Sequence, residues 1–343
     1  MINHKLIPLE SPVEWRTALN GIQHAFAHTW ENCHAMHLTT GSPTYLYSFQ
    51  TENVRIVCPI AEREFAGHID IVTPYGFSGF VGTGNYADFP QYWRVFVQER
   101  GYVCGYIGLN PIFENKGYFD RRDLYSYNNI YILDLTVGLD ELYSKLSTNR
   151  KRQLKDWGET SAGLLLTQRP LKDFFIANYE EFFRQKRAAS VYGFSAATLE
   201  RLFESNNVMM VGAGTSRAVE AATVFAYTPH VADFLFNVSL PQGRRHSAAL
   251  IWYGVNYFKS IGIPTLNLGG GVRADDSLAE FKQRFGARKL TLNCLKQVYD
   301  PSNYAVLCAR AGADRVDRTG YFPAFRAAME GRSMAPTQSE CMK

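Results

Sequence analysis

Apolar positions recur along this chain with two different periods, and the switches between those periods outline its elements. Over residues 15–30, Leu19, Ile22, Ala25 and Phe26 fall at helical spacing, which predicts one helix opening the fold. Residues 45–50 and 54–60 read as strands, and Thr51-Glu52-Asn53 between them predicts a hairpin. A glycine-rich passage at 73–84 then precedes a helix at 89–99 and strands at 102–109 and 130–135. Residues 140–157 are predicted as one long helix with a basic far end.

The second half repeats the theme. Leu171, Phe174, Phe175, Tyr179, Phe182 and Phe183 form a helical stripe. A strand near 208–212 follows, then a second hairpin, 219–227 with 231–240, around Thr228-Pro229-His230. A helix at 247–261 buries Leu250, Ile251, Val255 and Phe258. After it come a strand at 265–268 running into Gly269-Gly270-Gly271, a short helix at 278–285 and a strand at 290–298. Adjacent hairpin strands are antiparallel, so this is not the strand and helix alternation of a doubly wound sheet. The predicted fold class is mixed α/β in two similar halves, 1–140 and 141–330, with a polar tail at 331–343.

A chain of 343 residues exceeds one ordinary hydrophobic core, which agrees with two units. Hydrophobic residues make up 46% and charged residues 20%, as in a globular protein. A net charge of +4 is too small for a dedicated duplex DNA binder, so any nucleic-acid role is local. No stretch approaches a membrane span, and no secretory apolar core follows Met1-Ile2-Asn3-His4-Lys5. Six scattered cysteines without paired spacing predict free thiols, and a cytoplasmic location is expected.

Several chemistries lack their motif. Residues 254–260 end in Lys259-Ser260 without the second glycine of a phosphate-binding loop. In Gly76-Phe77-Ser78-Gly79 the glycine after the serine comes one position too early for a nucleophile elbow. His24 and His28 would share one face of the 15–30 helix, but Ala25 stands where a zinc protease carries glutamate, so no metal site is assigned. No tightly bound cofactor is expected.

Three passages carry a resemblance: Asn267-Leu268-Gly269-Gly270-Gly271, Glu280-Phe281-Lys282-Gln283-Arg284-Phe285-Gly286 and Gly320-Tyr321-Phe322-Pro323-Ala324-Phe325-Arg326. With the basic run 149–155 and Tyr192-Gly193-Phe194-Ser195, they resemble the Fem-like and CelD-like branch of the GNAT acyltransferase superfamily over residues 145–326. The ending looks most like the members from bacterial surface-polysaccharide clusters. The resemblance implies two GNAT-like domains side by side, with the acceptor side in the first. It implies an N-acyltransferase acting on an amino group of a sugar-nucleotide or other cell-envelope precursor, with acyl-coenzyme A or aminoacyl-tRNA as donor.

Acyl transfer to an amine needs a proton acceptor and a cation or donor near the developing oxyanion. The resemblance assigns the cation to Lys282, with Phe281 and Phe285 fixing its helix. On the strand at 231–240, alternation places Asp233, Asn237 and Ser239 on one face and Phe234, Phe236 and Val238 on the other. Asp233 then either takes the amine proton or pairs with an arginine. Coenzyme A users carry a glycine-containing loop at a helix start, where backbone amides meet the pyrophosphate. Here residues 242–248 put Arg245 and Ser247 at the glycine positions, leaving Arg244 and Arg245 as anion contacts. Arg150, Arg152, Lys186 and Arg187, with Tyr192, are further candidates for phosphate contact, and Tyr75 and Gly76 for the acceptor loop. The competing reading is an inactive precursor-binding scaffold of the same fold.

Overall fold

Each half of the chain folds as a three-stranded meander, a helix and a parallel strand, and the two halves share one sheet. The computed structural model describes residues 2–113, 117–186, 189–215, 218–271 and 276–327; Arg187 and the tail at 331–343 lie outside them. The first half supplies β1 (Asn3–Pro8), α1 (Pro12–Leu19), α2 (Trp30–Thr40), β2 (Thr44–Gln50), β3 (Arg55–Phe65), β4 (His68–Val72), β5 (Val81–Gly82), α3 (Phe89–Glu99), β6 (Tyr102–Gly108) and β7 (Leu124–Asp134). Next come α4 (Leu139–Ser144), α5 (Thr148–Gln153), α6 (Trp157–Ala162), α7 (Gln168–Gln185), α8 (Ala196–Phe203), β8 (Val208–Thr215), β9 (Ala218–Tyr227) and β10 (Ala232–Ser239). The chain continues through α9 (Ser247–Ser260), β11 (Thr265–Gly270), α10 (Ser277–Gln283), β12 (Arg288–Val298) and α11 (Pro301–Ala311).

The sheet order is β1-β2-β3-β4-β6-β12-β7-β11-β10-β9-β8, with β5 paired to β3. On one side β2-β3-β4 is the meander and β6 runs parallel to β4; on the other, β8-β9-β10 is the meander and β11 runs parallel to β10. The fifth strand of each set is exchanged. β12, late in the chain, pairs with β6, and β7, from the first half, pairs with β11. β12 also bonds β7 from Arg288 to Leu295, which seals the sets into one sheet.

Separate cores flank this sheet. Phe89, Trp93, Phe96 and Val97 of α3 pack with Tyr47, Phe49, Ile56 and Phe80. Leu250, Ile251, Val255 and Phe258 of α9, the four residues expected inside, pack with Phe225, Leu266 and Leu268. The stripe on α7 packs with α2 and α8 on the opposite face of β9 and β10.

Three expectations are corrected. The helix predicted at 15–30 ends at Leu19, because Gly21 takes a left-handed φ of +74°, and the chain restarts as α2 with Thr29 Oγ1 accepting from Asn32 N at 3.3 Å. His24 and His28 therefore do not share a helix face. The helix predicted at 140–157 is two short helices, α4 and α5, with α6 starting only at Trp157. Ser147 stops the first and caps the next, its side chain accepting from Arg150 N at 3.4 Å while its own amide donates to Arg284 O at 2.9 Å. The third correction, on β10, bears on chemistry.

Candidate functional site

Asp233 stands opposite Ala226 on β9, and Phe234 opposite Phe225, but Phe236 pairs with Val224, so Leu235 is an extra residue in a β-bulge. Directly paired residues share a face of the sheet. Asp233 therefore lies with Phe236 and Val238, whereas Asn237 and Ser239, opposite Thr223 and Ala221, lie on the other side. The expected row of Asp233, Asn237 and Ser239 is broken. Asn237 instead donates to Thr223 Oγ1 at 2.8 Å, and Ser239 is buried.

Asp233 also closes the pairing between β10 and β11. These strands pair only at Ala232 with Leu266 and Asp233 with Asn267, then part, leaving a fork. The corresponding fork of the first half is filled by its own loop: Thr73 Oγ1 accepts from Gly108 N at 3.0 Å, and Ser78 bridges to Leu109. Gly79 makes that approach possible, since a Cβ there would meet Leu109 Cα at 3.0 Å. Among the described residues, the fork of the first half is thus bridged by its own loop, and no such bridge spans β10 and β11 beyond Asp233 and Asn267.

At the β10/β11 fork, Asn267 Nδ2 donates to Asp233 Oδ1 at 2.8 Å, and Asn267 Oδ1 accepts from Gly269 N at 2.8 Å. No arginine pairs with Asp233 among the described residues, contrary to one of the two expectations for it. Burial pushes its carboxyl up to about 6, and the Asn267 donor partly opposes that. Lys282 comes from the other side, 5% exposed, and donates Nζ to the carbonyl of Gly270. Burial brings its ammonium down to about 7, against a weak pull from Asp276. A carboxyl and an amine are thereby held on the same strand end, each with its charged form disfavoured.

The F-K-x-x-F-G run explains how Lys282 is aimed. Phe281 on α10 and Phe285, in the turn just past its end, receive the guanidinium of Arg150 at 4.2 and 4.9 Å from their ring centroids. Lys282 points elsewhere, to β11. Gly286 follows at φ +76°, where a Cβ would lie 2.6 Å from Lys145 Cβ. Arg150 is buried, with its guanidinium also on Gln153 Oε1, and burial lowers its proton affinity. It braces α10 rather than facing water as a phosphate contact would.

The first half reaches the fork through Tyr75. Its ring packs against Phe194 at 4.9 Å, Tyr192 at 5.6 Å and Phe236 at 6.0 Å, on the Asp233 face of β10. Its carbonyl accepts from Asn32 Nδ2 at 3.1 Å. Gly76 holds φ +113° with Ala27 pressed against it; a Cβ would be 2.7 Å from Ala27 Cβ. Burial raises the hydroxyls of Tyr75 and Tyr192 above their ordinary value, and the nearby Asp233 adds to this for Tyr75.

Other candidates lie apart. Arg152 is exposed and bonded to Asn149 of its own helix at 2.9 Å, and Lys186 lies over Phe182 of its own helix at 5.6 Å. Residues 241–246 form a 3₁₀ turn running straight into α9, in which Gly243 N donates to Leu240 O and Ser247 N to Arg244 O. Amides committed within a turn are not offered to a pyrophosphate. Arg245 pairs with Glu220 at 3.3 Å, and Arg244 is exposed.

In the sequence Asn267 stands only as the start of a glycine motif. The available signal was a polar residue in a strand otherwise written as buried, one step before the glycines. Among the described residues no cluster of His, Cys, Asp and Glu could hold a metal ion, and no helix is long and apolar enough to cross a membrane.

No protein-family pattern and no curated protein matches the sequence. Solved structures do match the fold. FemX superposes with a TM-score of 0.66 at 8% identity, over 89% of this chain and 99% of that one. A conserved protein of unknown function from Bacteroides thetaiotaomicron gives 0.57 at 9% identity, over 87% and 100%. The C-terminal domain described for a lysylphosphatidylglycerol synthetase from Agrobacterium fabrum gives 0.55 at 13%, over 88% and 96%. The chain has the mixed α/β, twin-GNAT fold of the Fem type.

Proposed function

We propose that this chain is an N-acyltransferase with one acyl site, at the β10/β11 fork, acting on an amino group of a cell-envelope precursor. The observation that carries the proposal is the convergence of Asp233 and Lys282 on residues 267–270. An amine acceptor arrives as an ammonium ion. The Asp233 carboxylate takes one proton, directly or through water, and the neutral amine attacks the acyl carbonyl. A C–N bond forms as the bond to the donor's oxygen or sulfur breaks; the nitrogen gives up its second proton, the leaving oxygen or sulfur takes up one and departs as alcohol or thiol, and the Lys282 ammonium faces the oxygen on which charge builds. Tyr75 and Tyr192 wall the acceptor side.

Aminoacyl-tRNA is the preferred donor, because the turn at 241–246 lacks an amide cradle for the coenzyme A pyrophosphate. The polysaccharide-type ending loses its weight as an argument for acyl-coenzyme A. Arg326 of that ending is spent on Asp70, and Phe325 stacks on Phe65 at 5.1 Å. The amino acceptor, over a hydroxyl, follows from a carboxyl held near neutrality, which suits removal of an ammonium proton.

Calorimetric titration separates the donors. Acetyl-coenzyme A at millimolar concentration should neither release heat nor raise the melting temperature, while transfer from charged tRNA to an amino-sugar nucleotide should be detected. Saturable binding of acetyl-coenzyme A would overturn the donor assignment. Retained precursor affinity with no turnover in the parent protein would favour the scaffold.

A further inference from the structure

Asn267 is 4% exposed, and its register partner across the last rung of β10/β11 is Asp233. The orientation of its amide is fixed. Gly269 N–H can bond only the oxygen, which turns Nδ2 toward the carboxyl, both at 2.8 Å. Gly269, at φ +72°, lies in the bulge by which β11 slips against β7 between Asn267 and Gly270. The next carbonyl, Gly270 O, seats Lys282. The bulge is closely confined, since a Cβ on Gly270 would lie 2.6 Å from Asn129 O and one on Gly269 3.3 Å from Lys282 Nζ.

We propose that Asn267 is a positioning residue that couples the carboxyl of Asp233 to the seat of Lys282 through the Gly269–Gly270 bulge. One hydrogen bond of its amide favours the Asp233 carboxylate, and the other, accepted from Gly269 N–H, holds the bulge whose next residue, Gly270, offers Lys282 its carbonyl. A buried amide serving only to complete the strand end would contribute stability and nothing else. The purpose of the coupling rests on the acyl-transfer reading; its test does not.

The test follows the Asp233 carboxyl and the Lys282 side chain by carbon-13 NMR titration of the full chain, with D233N and K282M to assign the signals. In N267A the Asp233 midpoint should rise by about one pH unit, because a donor to the carboxylate is lost. The Lys282 midpoint should rise toward the ordinary lysine value as its seat loosens and water enters. N256A, which removes the Asn256 bond to Trp252 O at 2.7 Å on α9, should lower stability and move neither midpoint. If N267A does not fold, the near-isosteric N267D keeps the acceptor for Gly269 and should still raise the Asp233 midpoint. A folded N267A with both midpoints within about 0.3 unit of the parent would overturn the proposal. So would movement of Asp233 alone, or an unmoved Asp233 in N267D. These titrations need no substrate, so absent acyl transfer would sink the functional reading while leaving this result to be judged separately.

Discussion

Lys282 donates Nζ to the carbonyl of Gly270, and the bare Cα of the preceding Gly269 is what lets it lie there, 3.3 Å from where a Cβ would stand. This buried amine is costly to the fork, because an ammonium there loses its hydration with no carboxylate in salt-bridge contact among the described residues. Burial of that kind in a fold that could hold leucine there is the physical reason to assign Lys282 a task.

The cost has a pH signature. The folded chain releases the Lys282 proton near 7, whereas an unfolded chain keeps it to the ordinary lysine value of 10.5. Between those limits the unfolded state binds more protons, so stability rises with pH. Asp233, at about 6 when folded against 3.8 ordinarily, works the other way: the folded state holds the extra proton, and stability falls between about 4 and 6. In urea unfolding across pH these two contributions are read as differences between the parent chain and the matching variant, because buried histidines such as His28, brought down to about 3, add a rise of their own below 6.5. K282M should flatten the alkaline rise and D233N the acid fall; curves unchanged by either substitution would contradict the burial argument.

Turnover should follow a narrow bell. Asp233 must be ionised and Lys282 protonated, so the rate rises through about 6 and falls through about 7. K282R keeps a cation that stays charged, and its alkaline limb should move beyond the measured range even if the maximal rate drops. An alkaline limb at the same pH in K282R would assign that limb to another group.

Arg326 Nε donates to Asp70 Oδ2 at 2.6 Å and Arg63 Nε to Oδ1 at 2.8 Å, with Asp70 1% exposed. This triad clasps the end of the described chain to the β3/β4 hairpin. D70A leaves two guanidinium groups unpaired and should cost roughly 3–5 kcal/mol of unfolding free energy. R326A should cost less, because Arg63 still pairs. Donor transfer by the folded fraction should be unchanged in R326A, since the clasp does not touch the fork.

Two glycines at helix ends make a matched pair. Gly312 (φ +65°) has nothing within 4 Å of a built Cβ, whereas Gly286 (φ +76°) has Lys145 Cβ at 2.6 Å and its carbonyl at 2.9 Å. G312A should cost only about 1 kcal/mol, the price of a left-handed alanine. G286A should cost more and displace α10, so its loss of transfer should exceed its loss of stability. Equal effects would remove Gly286 from the account of how Lys282 is aimed.

Much of this was readable beforehand. Both hairpins, the buried face of α9 and the aromatic stripe on α7 follow from local period alone. The fork was harder, because its decisive features are set by partners distant in sequence. Nothing in Phe234-Leu235-Phe236 says that Leu235 bulges; the register against β9 decides it, and with it the face on which Asp233 stands. The exchange of β7 and β12 between the halves likewise depends on pairing across more than a hundred residues. Ser147 could have been read as a cap inside the basic stretch, and the smooth charge pattern around it hid the break. Asn267 was visible, but its meaning depended on Asp233 being its neighbour on the next strand.

The most direct test of the central claim is single-turnover transfer of a radiolabelled aminoacyl group from charged tRNA to an amino-sugar nucleotide at pH 6.5, comparing the parent chain with D233N and K282A. The account predicts label in the acceptor with the parent and a loss of 100-fold or more, on the order expected for removing an acid–base or oxyanion group, in each folded variant. Equal transfer by parent and variants, or none by a folded parent with either charged tRNA or acyl-coenzyme A, would contradict it.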